Sequence, residues 1–399
     1  MQAKPPRQPQ PKRAVQKRSY WRELSRAKWV ILGITGVTFA MSWAGLFDHL
    51  ETAGLDVFNI LQSPADPKHV VIVAIDDEDY RSSFHETSPL DSTKLQKLVT
   101  DIARGHPKVI GVDIDTSGDD FKALKTLPEW PGIVWARDAI QDEKSRLFKM
   151  LPVLGGRDPA RNTDSTAMAI LPLDSDGVIR RYHREFELGK GQRSDSFPWA
   201  VVKTACTGPL PMEGCKEVER ESERAEHGFR MNFAGQRFNF SPLSARFVGQ
   251  VAVTAGWANS SPLREKIVLL GGTFHAARDT RITPVGPMAG VQLMAQAIET
   301  EFSGGGVRPL NEFVAAILDL CSGALLVYIG YRFDHHLGKA LLLSVGVLVI
   351  VPLVSSFLAF STLARWFNFI PMIVGVLLHE LYEHGREYQR LREFHLHEL

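Results

Sequence analysis

Only three cysteines occur in 399 residues, too few to staple a small disulfide scaffold. The chain contains no zinc-ligand spacing, no G-x-x-x-x-G-K phosphate loop and no G-x-S-x-G elbow. No Ser or Cys stands beside a His in a recognisable nucleophile motif. An enzyme is therefore not expected, and neither is a metal set or a cofactor. There is no internal repeat. An overall excess of charge is also missing, because 46 Lys plus Arg face 45 Asp plus Glu for a total of +1. That balance conceals an asymmetry. Residues 1–28 hold nine basic side chains against one acid, Glu23, so this segment carries +8 and the remainder −7. Such a tail faces a polyanion or a membrane boundary.

A mean hydropathy of −0.08 describes an ordinary soluble chain, but the average hides apolar runs. Residues 1–28, rich in Pro, Gln, Lys and Arg, read as a disordered basic tail. Trp29–Phe47 follows, nineteen residues without a charge, about 28 Å as a helix against a hydrocarbon core of ~30 Å. Three further stretches, Phe313–Tyr331, Ala340–Leu363 and Trp366–Tyr382, occupy residues 310–382. Four spans put both termini on one side, and the basic tail places that side in the cytoplasm. Residues 48–309 then lie outside, in the periplasm of a bacterium, and residues 383–399 form a cytoplasmic tail. A competing reading makes Ser42-Trp43-Ala44 the cleavage site of a signal peptide. The long charged lead and the length of the apolar run favour an uncleaved anchor. Asp319 falls inside the second span, where an ionised group is costly; it is either functional or turned toward a polar neighbour.

The exported segment reads as α/β with a mostly parallel sheet. Val70–Ile75 and Lys108–Ile114 are apolar strand patterns flanking an amphipathic helix over Ser92–Arg104, a βαβ unit. Gly132–Trp135 and Lys266–Leu270 are further strands, Ser196–Cys206 and Gly290–Phe302 are helices, and residues 231–240 could pair as a hairpin. Ligands of parallel sheets collect at the carboxyl ends of strands. The candidate ligand-binding residues are therefore Asp76, Asp77, Asp113, Asp115, Gly271, Gly272, Asp279, Arg281 and Thr283. The acids, with Glu78, have three readings: they converge on Mg²⁺ or Ca²⁺, they accept hydrogen bonds from a small ligand, or they cap helices and face solvent. Gly271-Gly272 would let backbone N–H groups approach an anion, or Arg278, Asp279 and Arg281 form an ion pair that fixes the loop. Cys206 and Cys215 flank eight residues containing prolines and glycines; outside the cytoplasm they are expected to form a disulfide. The C-terminal His379, His384, His395 and His397 mix with Arg386, Arg390, Arg392, Leu381, Tyr388 and Leu391 as an amphipathic tail for anionic lipid or a protein partner.

Four segments carry a resemblance: VVIVAIDDED (70–79), HPKVIGVDID (106–115), NFAGQRFNFSPLSA (232–245) and LREKIVLLGGTFHAARDTRITPVGPMAGVQLMAQAI (263–298). They resemble the CHASE2 family of extracytoplasmic sensory domains of bacteria. The last block is the most specific. The resemblance implies an anchor, an outer sensory domain with no settled ligand, and three closing spans. Members of this family usually continue into a cytoplasmic kinase or cyclase, whereas only seventeen residues follow Tyr382 here. The expectation is a membrane receptor that signals through a separate protein partner, compatible with a homo-oligomer and without a nucleic-acid partner. The alternative is a structural scaffold subunit of an envelope or membrane complex.

Overall fold

In the computed structural model, residues 20–62, 66–125, 130–142, 147–157, 164–189, 191–207, 211–222, 229–231, 233, 240–304, 306–310, 312–333, 343–344 and 346–397 are described. Most of the basic tail, the middle of the hairpin expected at 231–240 and the side chain of Asp319 lie outside the described residues. The chain divides into two compact units. One is helical and comprises Met1–Thr52, Pro309–Leu358 and Phe367–Leu399; the other is α/β and comprises Ala53–Arg308 with Ala359–Trp366.

The chain begins with α1 (Tyr20–Trp43) and α2 (Asp48–Leu61), the latter carrying Asp48 and Glu51 in its first turn, where acids favour a helix N-terminus. Then come β1 (Val70–Ile75), the short α3 (Asp77–Ser82) and α4 (Ser92–Ala103), whose cap Asp91 accepts the N–H groups of Thr93 and Lys94. The strands β2 (Val109–Asp113), β3 (Gly132–Arg137) and β4 (Ser165–Met168) follow, then α5 (Phe197–Cys206) and α6 (Cys215–Ser222). Next are β5 (Leu243–Ser244), α7 (Ala245–Val251) and β6 (Ile267–Gly272). A hairpin of β7 (Thr280–Thr283) and β8 (Gly286–Ala289) leads into α8 (Gly290–Phe302). The helices α9 (Glu312–Arg332), α10 (Val351–Leu363) and α11 (Ile370–His397) close the chain.

Six parallel strands form the sheet in the order β5-β1-β6-β2-β3-β4. Its strands are apolar on both faces because helices cover both. Val73, Ile75, Ile110, Val112, Val268 and Leu270 meet Leu95, Val99 and Ile102 of α4 and Val248 of α7. The alternate residues Ile72, Val109 and Leu269 meet Val201 and Ala205 of α5 and Val291, Ala295 and Ile298 of α8. The parallel sheet and the helices expected at 92–104, 196–206 and 290–302 are thus present.

Buried charges tie these layers together. Arg184 gives two hydrogen bonds, 2.7 and 2.6 Å, to the fully buried Glu301 of α8 and lies 4.0 Å from the Trp199 ring of α5. Glu299, two residues nearer the start of α8, accepts the backbone N–H groups of His69 and Val70 at 2.7 and 2.8 Å and meets the His69 ring at 3.0 Å. The same ring stacks on Phe302 at 4.6 Å. One helix end therefore holds the start of the sheet's first strand.

In the helical unit α1 packs with α9 and α11, and Gly323 lies so close to Ile31 that a Cβ there would sit 2.6 Å from its Cγ2. Small residues at such contacts let helices approach closely. The run expected as one span, Trp29–Phe47, is not one helix. It breaks after Trp43, where Gly45 takes a φ of +73°, and α2 leaves at 80° to α1. Among the described residues no single helix is long and apolar enough to cross a membrane, whereas Lys28–Trp43 and Asp48–Leu61 meet that measure together. The stretch expected over Ala340–Leu363 contains a π-helical turn at Gly346–Ile350 ahead of α10. The helix α11 runs unbroken through Tyr382, where a boundary between span and tail was expected.

Cys206 at the end of α5 and Cys215 at the start of α6 form the expected disulfide, with Cα atoms 5.5 Å apart. Closing so short a loop restricts the unfolded chain by about 2–3 kcal/mol. Cys206→Ser with Cys215→Ser should lower unfolding free energy by that amount in urea titrations. An unchanged midpoint would mean that the bond makes no net contribution to folding.

Candidate functional site

The acids singled out by sequence fall into two groups. The first follows β1 and is structural. Asp76 caps α3, its carboxylate accepting the Asp79 N–H at 2.7 Å, while Asp79 accepts the Asp76 N–H at 3.5 Å, a reciprocal capping box. Asp79 is fully buried and also accepts the N–H groups of Ala245 (2.9 Å) and Arg246 (3.2 Å), pinning the start of α7 to the end of β1. Burial pushes its carboxyl up, and neighbouring Asp76 adds to this. Asp77 accepts the backbone N–H of His275 at 2.9 Å and meets its ring at 2.6 Å, contacts that hold its carboxyl below the usual range. Glu78 pairs with Arg246 at 3.2 Å.

The second group gathers where β2, β3 and the loop after β6 end. Asp113 closes β2 opposite Gly271 of β6. It is half-buried, and desolvation first, then the charges of Asp279 and Asp138, push its carboxyl up to about 7. Asp138, just after β3, is raised by burial and by Asp115, against the pull of Arg281. Asp279 is raised by burial and Asp138, opposed by Arg281, whose Nε lies 3.3 Å from its Oδ1. Asp115 is exposed and turns locally to accept the Ser117 N–H at 2.8 Å. Asp138 and Asp279 thus share one guanidinium, and the Asp113 carboxyl, raised by burial and by those two acids, keeps its proton toward neutral pH. Such a set both donates and accepts hydrogen bonds and favours cationic or hydroxylated partners. Among the described residues, no three His, Cys, Asp or Glu side chains are placed to hold a metal ion.

Topology explains the gathering. After β6 the chain passes through the hairpin to α8 on one face of the sheet. After β2 it turns through the helical turn Asp119–Ala123, whose Phe121 is buried on the other face. Neighbouring strands whose continuations part in this way leave a crevice at their carboxyl ends.

Three candidates have other duties in the structure. Gly271 is where α8 meets the sheet: a Cβ there would lie 2.5 Å from that of Val291, so the glycine serves helix packing. Gly272 faces the Phe274 ring at a would-be 2.7 Å. Thr283 is buried and donates its hydroxyl to Gly286 O at 2.5 Å, closing the β7–β8 turn. Asp76 and Asp77, as above, are committed to caps and backbone. The sequence reading missed Asp138 and Asp79. Asp138 follows a recognised strand in the same way that Asp113 ends one; Asp79 stands three residues after Asp76, the spacing of a capping box.

It also missed Arg180. This buried guanidinium binds Asp56 of α2 (2.8 Å), Asp174 (3.1 Å) and Asp176 (2.7 Å), and it holds the Asp176 carboxyl down at about 2. The neighbouring Ile179 N–H donates to Ile282 O of β7 at 2.9 Å. The strand bearing Arg281 is therefore bonded to the segment that grips α2.

Two outcomes test this geometry. Below the unfolded carboxylate value of 3.8, Asp113 is protonated in both states; as pH rises toward about 7 only the folded state keeps the proton. Wild-type stability therefore falls over that interval. Relative to wild type, Asp113→Asn should gain steadily from pH 4 to pH 8, reaching on the order of 2–4 kcal/mol in urea midpoints. A gain independent of pH would mean that Asp113 does not titrate there. Separately, a Cβ on Gly290 would lie 1.9 Å from Asp279 Oδ2. Gly290→Ala should cost about 1–3 kcal/mol, and less in an Asp279→Ala background; strict additivity in the double-mutant cycle would rule out the contact.

The geometry can be set beside known proteins. No curated protein and no solved structure matches the chain. The family model described as the CHASE2 domain matches residues 31–330, a stretch that takes in the whole parallel sheet, the crevice acids and the helix on each side. With well over half its length covered, the chain belongs to the CHASE2 domain family.

Proposed function

We propose that the α/β unit is an extracytoplasmic sensory domain that takes a small cationic or polyhydroxylated ligand at the crevice between β6 and β2. CHASE2 is a family of extracellular sensory domains, in keeping with a receptor-like role. The observation that carries the site is the cluster of Asp113, Asp138 and Asp279 with Arg281 where the chain parts to opposite faces. A cation seated there would offset the burial and, after it, the mutual repulsion that raise these carboxyls, and a hydroxyl group would hydrogen-bond to them. In this reading the change passes along β7, through the Ile179–Ile282 hydrogen bond, to Arg180 and so to Asp56 on α2. The apolar helices anchor the protein in the inner membrane of a bacterium with both termini cytoplasmic, and a separate protein supplies the output.

The test is thermal denaturation of the full-length protein against a panel of small amines, polyamines, sugars and nucleosides. A ligand at a hundredfold its Kd stabilises by about 2.7 kcal/mol, a rise of roughly 5–10 °C for a domain of this size. At least one compound should produce that rise in wild type and not in Asp113→Asn with Asp279→Asn. Equal stabilisation of both proteins would move the site elsewhere. No stabilisation by any compound, with a stoichiometric membrane assembly surviving detergent, would favour a scaffold.

A further inference from the structure

The helix α2 has two apolar faces, and among the described residues only one of them packs against protein. Leu55 and Phe58 are buried, Asn59 turns its amide to Leu55 O at 3.0 Å, and Asp56 is held by Arg180. On the opposite side Leu50, Ala53, Val57, Ile60 and Leu61 fall within an arc of about 100° at 3.6 residues per turn. Leu50, Val57, Ile60 and Leu61 are 56, 50, 55 and 62% exposed. No charged residue falls on that arc: Asp48, Glu51 and Asp56 all lie outside it. A soluble helix would carry its polar residues there.

We infer that this face of α2 lies in the headgroup–acyl boundary of a phospholipid bilayer, making α2 an interfacial helix. This rests on the membrane reading proposed above. Three observations select lipid. The helix is the direct continuation of α1, and the two meet the apolar length of a span only together. The 80° bend at Gly45 converts a helix directed across a bilayer into one directed along it. Trp43, 84% exposed, stands at that bend, and tryptophan is the residue type enriched at membrane boundaries. A second copy of the chain fits the face poorly. Fourteen residues make a helix about 21 Å long, so a stripe ~10 Å wide offers on the order of 200 Å², against roughly 800 Å² per partner in a stable interface. Burial of such a face to a depth of ~5–10 Å is the usual state of an amphipathic surface helix.

The test uses the full-length protein in phospholipid vesicles. Cys321, the free cysteine, is first changed to Ser, and the Cys206–Cys215 disulfide is kept. Leu50→Cys, Val57→Cys and Leu61→Cys are then labelled singly with an environment-sensitive fluorophore, as are Val37→Cys on α1 and Glu86→Cys on the α/β unit. All these positions are exposed, so the packed face is untouched. Labels at 57 and 61 should be quenched about threefold or more strongly than the label at 86 by nitroxide lipids of shallow depth, and be shielded from aqueous iodide. If 57 and 61 respond to iodide as 86 does while 37 stays lipid-quenched, the interfacial helix is wrong and the membrane reading survives. If 37 is also open to iodide, both fail. Ready disulfide cross-linking between copies through Val57→Cys would assign the face to a second chain and overturn the proposal.

Discussion

The ladder that β6 makes with β1 on one side and β2 on the other is the interaction on which the rest depends. Residues 267–272 enter between 70–75 and 109–113, so the middle of the sheet is supplied by a strand nearly two hundred residues downstream of its first neighbour. Without β6, two of the most apolar strands would present bare edges, and α8 would have no sheet to cover. The insertion also creates the crevice. Because β6 hands on to α8 and β2 to the opposite layer, their carboxyl ends are not roofed by either connection, and among the described residues Asp113, Asp138 and Asp279 cap no helix.

That difference in backbone supply separates two sets of carboxylates that look alike in sequence. Asp76, Asp77 and Asp79 each receive backbone N–H groups at their own helix start or from α7 and the 275 turn, and they stay as fixed struts. Asp113, Asp138 and Asp279 meet one another and a single Arg281, an arrangement whose mutual repulsion costs stability. Proteins tolerate such a cost most readily where something else is to be bound.

Much of the fold was legible because its strands are uninterrupted β-branched runs, and runs such as VVIVAI and KIVLL have few alternatives to burial between helices. The disulfide was legible from two cysteines flanking a short loop. The site was legible only as a region. Gly271 looked like a ligand-facing glycine because close approach of a ligand and close approach of Val291 demand the same missing Cβ; the choice depends on which helix crosses the strand, a long-range fact. Arg180 was not legible, because its grip on Asp56 joins residues far apart along the chain. The apolar count over 29–47 ran past Trp43 because hydropathy does not register a left-handed turn at Gly45.

The bond between His69 and Glu299 has a consequence for how the domain can be handled. Chain arriving from α2 and chain departing from α8 are clasped to each other by one carboxylate and one stacked ring. Within the α/β unit the start of the sheet and the end of α8 are thus held at one point. A fragment cut short of either residue would lose the carboxylate or leave the two backbone N–H groups it satisfies unpaired, so both ends must be kept together.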